Sequence, residues 1–65
     1  MDINVLIYQL QLLQRHTKEV ADLFIEVYRN NKDAEYQKKS KELIGAANIM
    51  GGWIEGVTKE NGVAS

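Results

Sequence analysis

Few side chains in this 65-residue chain are able to do chemistry, and their spacing limits them further. His16 is the single histidine, and Glu19 follows it by three positions, which puts both on one face of a helix. Such a pair can serve as a general-base dyad, but on a helix surface it reads as a solvated pair. Thr17, Ser40 and Thr58 are the hydroxyls near the helices apart from the tyrosines. None is spaced from His16 as a triad requires. There is no cysteine, which removes disulfides and thiolate metal sites. With one histidine, a zinc or di-metal centre would need carboxylates alone beside it. Gly51-Gly52 is not a phosphate loop, because no Lys-Ser/Thr pair follows it and no strand precedes it. The expectation is a protein that is not an enzyme and takes no cofactor and no metal.

Lys38, Lys39 and Lys41 form the one basic run. Ser40 interrupts it, Glu42 follows it, and Tyr36 is its only aromatic neighbour. It reads as the solvated face of an amphipathic helix. The chain carries 8 basic and 9 acidic residues, a net charge of −1, whereas a nucleic-acid binder shows a basic excess. No nucleic-acid partner is expected. The longest strictly apolar run, Val5 to Tyr8, is far short of the roughly 20 residues that cross a bilayer, so no membrane insertion is expected. Met1-Asp2-Ile3-Asn4 shows neither a basic start nor a small-residue cleavage site, and the expected compartment is the cytoplasm.

Hydrophobic residues make up 45% of the chain, a globular share. A domain this small buries only roughly 60% of its unfolded surface and is marginal alone. Without disulfides or metal, well-packed helices or a partner chain must support it. The pattern is helical throughout, and no proline interrupts it. With Ile3 opening a heptad, one row is Ile3, Leu10, Thr17 and Phe24, and a second is Leu6, Leu13, Val20 and Val27. Seven of these eight residues are apolar, which predicts a helix over about 2–30 with these two rows as its buried seam. Asp2 is placed to cap it.

Asn30-Asn31-Lys32-Asp33 is the turn, over 30–33, with an asparagine suited to the left-handed position and Asp33 to the next N-cap. A second helix is predicted over about 34–58, on the stripe Tyr36, Ser40, Leu43, Ala47, Met50, Ile54 and Val57. The expected fold is all-α, an antiparallel two-helix hairpin in a single domain, with a fraying tail over 59–65. Gly45, Gly51, Gly52 and Gly56 each weaken a helix by up to about 1 kcal/mol relative to Ala. A kink at Gly51-Gly52 is one outcome, and a continuous but soft helix is the favoured one.

A hairpin buries one stripe per helix, and apolar residues are left over. Val5, Tyr8 and Leu12 follow i, i+3, i+7 spacing on a second face of the first helix. Ile49 and Trp53 stand at about the same level on the second helix and extend that patch. Two helices cannot cover both faces, so these five are the predicted partner-binding residues. The partner is a second copy, giving a four-helix bundle, or a different protein. Beyond Thr17 the first helix is more polar outside its stripe, so the adhesive end is expected at the open end of the hairpin. On this reading Leu12→Glu abolishes partner binding and spares the fold, whereas Leu13→Glu unfolds the chain.

The segment Asp33-Ala34-Glu35-Tyr36-Gln37, then Ser40-Lys41-Glu42-Leu43, then Ala46 and Ile49, is similar to the second half of the YscE/PscE-type co-chaperones of type III secretion. That family has a Tyr-Gln pair just after its turn, then a Ser/Lys-rich helix with an Ala/Ile stripe. The glycines at 51, 52 and 56 and the short spacing from Tyr36 to Ser40 depart from its pattern. The resemblance implies a cytoplasmic protein that pairs with a tetratricopeptide-like chaperone and keeps the secretion needle subunit monomeric before export. The alternatives are a small homodimeric regulator or inhibitor acting by protein binding, and a helical bundle associated with RNA or DNA.

Overall fold

A computed structural model describes residues 2–62 of the chain. It contains two helices, α1 over Ile3–Asn31 and α2 over Ala34–Glu60, packed against each other as an antiparallel hairpin. The molecule measures 46 × 17 × 15 Å, close to the length of one helix and the width of two.

Both helices start as their sequences dictate. Asp2 and Asp33 are extended, and each carboxylate accepts a hydrogen bond from the amide two residues on, Asn4 at 2.9 Å and Glu35 at 3.0 Å. Each thereby satisfies one of the orphan amides of a first turn. The turn is shorter than the four residues predicted. Asn30 and Asn31 stay helical, and the left-handed residue is Lys32, φ 59°, whose amide donates to the Tyr28 carbonyl at 2.7 Å. Asp33 must be extended to cap α2, so the reversal falls on the residue just before it, whatever its type.

Helix α2 runs unbroken through Gly51-Gly52 and two residues past the predicted end. Lys59 and Glu60, expected to fray, form its last turn, and Asn61-Gly62 closes it. The remainder of the predicted tail, 63–65, lies outside the described residues.

The α2 stripe is as predicted: Ser40 and Ala47 are buried, and Tyr36, Leu43, Met50, Ile54 and Val57 are half-buried. On α1 only one of the two predicted rows sits at the centre of the seam. Ile3, Leu10, Thr17 and Phe24 face α2, but their companion row is Ile7, Gln14, Ala21 and Tyr28, displaced by one residue from the Leu6 row. Leu6, Val20 and Val27 are half-buried at the flank, and Leu13, predicted to be inside, is 48% exposed.

The cause is the width of the side chains. At mid-seam the Ile7 row meets the Ser40–Ala47–Ile54 row of α2: the Ser40 hydroxyl donates to the Ala21 carbonyl at 2.9 Å, and Gln14 Nε2 donates to the Ala47 carbonyl at 2.9 Å. Side chains reach the facing backbone only where their neighbours are small, and Ala21, Ala47 and Ser40 are at most 1% exposed. The Ile3 row meets the Tyr36 row beside it: Thr17 Oγ1 lies 4.0 Å from Met50 Sδ, and the Phe24 and Tyr36 rings sit 6.1 Å apart, tilted by 35°. The Leu6 row lies outward of that second line of contact.

Candidate protein-docking face

The cross-seam pairs fix which flanks of the two helices lie together. The Ile3 and Tyr36 rows meet on one side of the hairpin and the Ile7 and Ser40 rows on the other. Outward of the first side lie Leu6, Leu13, Val20 and Val27 on α1 with Leu23 beyond them, and Lys39, Ala46 and Trp53 on α2 with Ile49 beyond them. Leu13, Leu23, Ile49 and Trp53 are each about half or more exposed, at 48, 58, 57 and 56%. Outward of the second side lie Asn4, Gln11, Lys18 and Ile25 of α1 and Gln37, Ile44, Gly51 and Thr58 of α2; Ile44 is 45% exposed, and Gln11, Gln14, Arg15 and Lys18 line a polar depression there. The hairpin therefore has one broad face that is mainly apolar and one that is mixed.

The apolar face carries a hollow at its turn end. Val20, Leu23, Phe24, Val27 and Tyr36 line a space of about 160 Å³ whose accessible lining is entirely apolar. It is an open hollow and not an enclosed cavity, and an aromatic ring laid over it would cover its apolar lining.

The five residues selected from the sequence do not form one patch. Ile49 and Trp53 stand on the apolar flank, with Leu13 opposite them. Val5 and Tyr8, 54% and 57% exposed, lie on the outer side of α1, turned away from α2. Leu12, on that same outer side, is half-buried. Nor is the exposed apolar surface confined to the open end, since the hollow and Leu23 bring it to the turn. Reading Leu13 as core concealed its place on this face. The coincidence of small residues at 17 and 21 with those at 40 and 47 is the signal that would have placed the seam correctly.

His16 Nδ1 stands 3.9 Å from Glu19, with both side chains well exposed. Glu55 accepts from Lys59 at 2.9 Å, and that hydrogen bond and charge hold its carboxyl below the ordinary value, in water. Thr17 and Thr58 hydroxyls donate to carbonyls four residues back in their own helices, at 2.7 Å, and Ser40 is committed to Ala21. Among the described residues no group of three or more His, Asp or Glu side chains converges as a metal site would require. No helix there is long and apolar enough to cross a membrane.

Comparison with protein-family models, curated proteins and solved structures finds no significant match to this chain.

Proposed function

We propose that this chain works without catalysis, as a cytoplasmic helper chaperone of a type III secretion system. It pairs with a tetratricopeptide-like chaperone so that the needle subunit stays monomeric before export. One observation supports the binding half of this reading: four large apolar side chains, Trp53, Ile49, Leu13 and Leu23, stand exposed on one face and outside the seam. Patches of this kind mark interaction surfaces. Stacked helical repeats leave an open apolar end that needs a cap, and a rod with one apolar face fits that need. The cargo assignment rests on the likeness of residues 33–49 to the co-chaperone family.

The test is co-expression with a repeat chaperone and a needle subunit of such a system. The expected result is a soluble complex of all three on gel filtration, with the needle subunit unpolymerised. Omitting this chain, or supplying it as Trp53→Glu, should return the needle subunit to aggregates or filaments. If the repeat chaperone holds the needle subunit equally well without this chain, the proposal fails.

A further inference from the structure

The geometry points to a specific resting state for the free chain: an isologous dimer of antiparallel hairpins, in which Trp53 of each copy enters the turn-end hollow of the other. This goes beyond the chaperone reading and does not depend on it.

The apolar face is symmetric about its own middle. The Leu6 row repeats at 6, 13, 20 and 27. A two-fold axis crossing α1 between His16 and Thr17 exchanges Leu6 with Val27 and Leu13 with Val20. On α2 the flanking residues are 39, 46 and 53. An axis through Ala46 exchanges Lys39 with Trp53. The two crossing points stand at about the same level of the hairpin, because Gln14 reaches Ala47 and Thr17 reaches Met50. One axis can therefore pass through both, and it runs each helix antiparallel to its counterpart, as in a four-helix bundle.

The occupants then match. The residue on the axis is Ala46, small enough for two α2 helices to approach. Each Trp53 arrives level with the other copy's Lys39, whose ammonium and stem suit the indole face. Tyr36, one turn before Lys39, opens onto the 160 Å³ hollow with Val20, Leu23, Phe24 and Val27. The hollow and Trp53 lie on opposite sides of the axis, as a self-complementary interface requires. The size permits it: the 46 × 17 Å outline of the hairpin is comparable with the roughly 800 Å² that each partner of a standard stable interface buries.

The experiment uses the full chain alone. Light scattering on gel filtration at high micromolar concentration should give twice the 7.4 kDa chain mass. Trp53, the only tryptophan, should shift its emission to the red on dilution. Trp53→Ala and Leu23→Glu replace opposite members of one contact and spare the seam, so both should stay helical. Each should weaken self-association by about 30-fold or more, the size of a hot-spot truncation. Tyr8→Glu, on the outer side of α1, should leave the dimer intact. Because the chain has no cysteine, a single Ala46→Cys places one thiol on the axis and should form an intermolecular disulfide under mild oxidation. Tyr8→Cys should not. A chain that stays monomeric overturns the proposal. So does a dimer indifferent to Trp53→Ala, or one that crosslinks as readily through Tyr8→Cys. Should a variant unfold, the Ala46→Cys crosslink decides alone.

Discussion

The middle of the seam and the apolar flank invert the usual arrangement of a small domain. In the seam the most deeply buried residues are Ala21, Ala47 and Ser40, and the largest fully buried side chain is a serine. On the flank stand Trp53, Leu13, Leu23 and Ile49, all about half or more exposed. Large apolar residues ordinarily go inside. Here two rods meet where they are thinnest, the backbones come close enough for Ser40 and Gln14 to bond across, and bulky neighbours are pushed to the side. A second layer is needed to bury them, and one hairpin has none. The seam fixes the fold, and the flank is left as the exposed apolar surface on which the proposed recognition rests.

Enlarging the seam should do the most damage. Ala47 is 0% exposed and its carbonyl takes the Gln14 amide. Ala47→Leu forces the helices apart and costs about 1–3 kcal/mol or more, a large part of the stability of so small a chain. Far-UV circular dichroism should show a melt lowered and broadened, or helix lost at room temperature. Leu13→Glu, one row over, should leave the melt within about 0.5 kcal/mol, as for other exposed sites, while removing association through the flank. Equal destabilisation by the two substitutions would erase the distinction between seam and flank.

Ser40→Ala sharpens the same comparison at smaller scale. It keeps the seam thin and removes only the bond to the Ala21 carbonyl, which retains its place in the α1 ladder. The expected loss is about 1 kcal/mol. A loss as large as that of Ala47→Leu would mean that the hydrogen bond, and not the width, holds the helices together.

Glycine substitutions divide by the same geometry. A β-carbon at Gly52, on the outer side of α2, meets nothing within 4 Å, so Gly52→Ala should stabilise by about 0.5–1 kcal/mol. A β-carbon at Gly51 would lie 3.0 Å from Gln14 Nε2, the atom that bonds to Ala47. Gly51→Ala should gain clearly less, or nothing. Thermal melts of the two variants, differing by one position, measure how closely the seam is fitted.

The hairpin itself was readable because its signals are local and redundant. Asp2 and Asp33 are caps by chemistry, the turn is the single polar cluster, and the α2 stripe holds all seven of its predicted members. The α1 stripe was misread by one residue at its second row. Apolar count favours Leu6, Leu13, Val20 and Val27 over Ile7, Gln14, Ala21 and Tyr28, but the helices chose the row that lets them approach. That choice depends on Ser40 and Ala47, 19 and 26 residues further along than Ala21, and no pattern within α1 contains it. The same misreading hid Leu13 and Leu23 from the apolar flank, whereas Val5 and Tyr8 face away from α2. Trp53 and Ile49 were legible because α2 has a single apolar stripe, and anything large off that stripe is outside.

The outer side of α2 belongs to neither region, and Glu55 tests that. Its carboxyl accepts from Lys59 one turn on, and this hydrogen bond, then the charge, lowers its pKa from the ordinary 4.5. A carboxyl lowered by folding stabilises the fold above its unfolded pKa, and that contribution is lost as pH falls through the lowered folded value. The acid limb of helix stability should therefore steepen below pH 4.5 in the wild type and flatten in Glu55→Gln. Both side chains are largely in water, so the effect is small and fades with added salt. In Lys59→Gln the Glu55 titration, followed by NMR, should move back up toward the ordinary value. The chain's association should not change in either variant, since this pair lies away from the seam and the flank. A Glu55 midpoint unmoved by the loss of Lys59 would mean that this neighbour does not lower that carboxyl, since the C-terminal end of a helix works in the opposite direction.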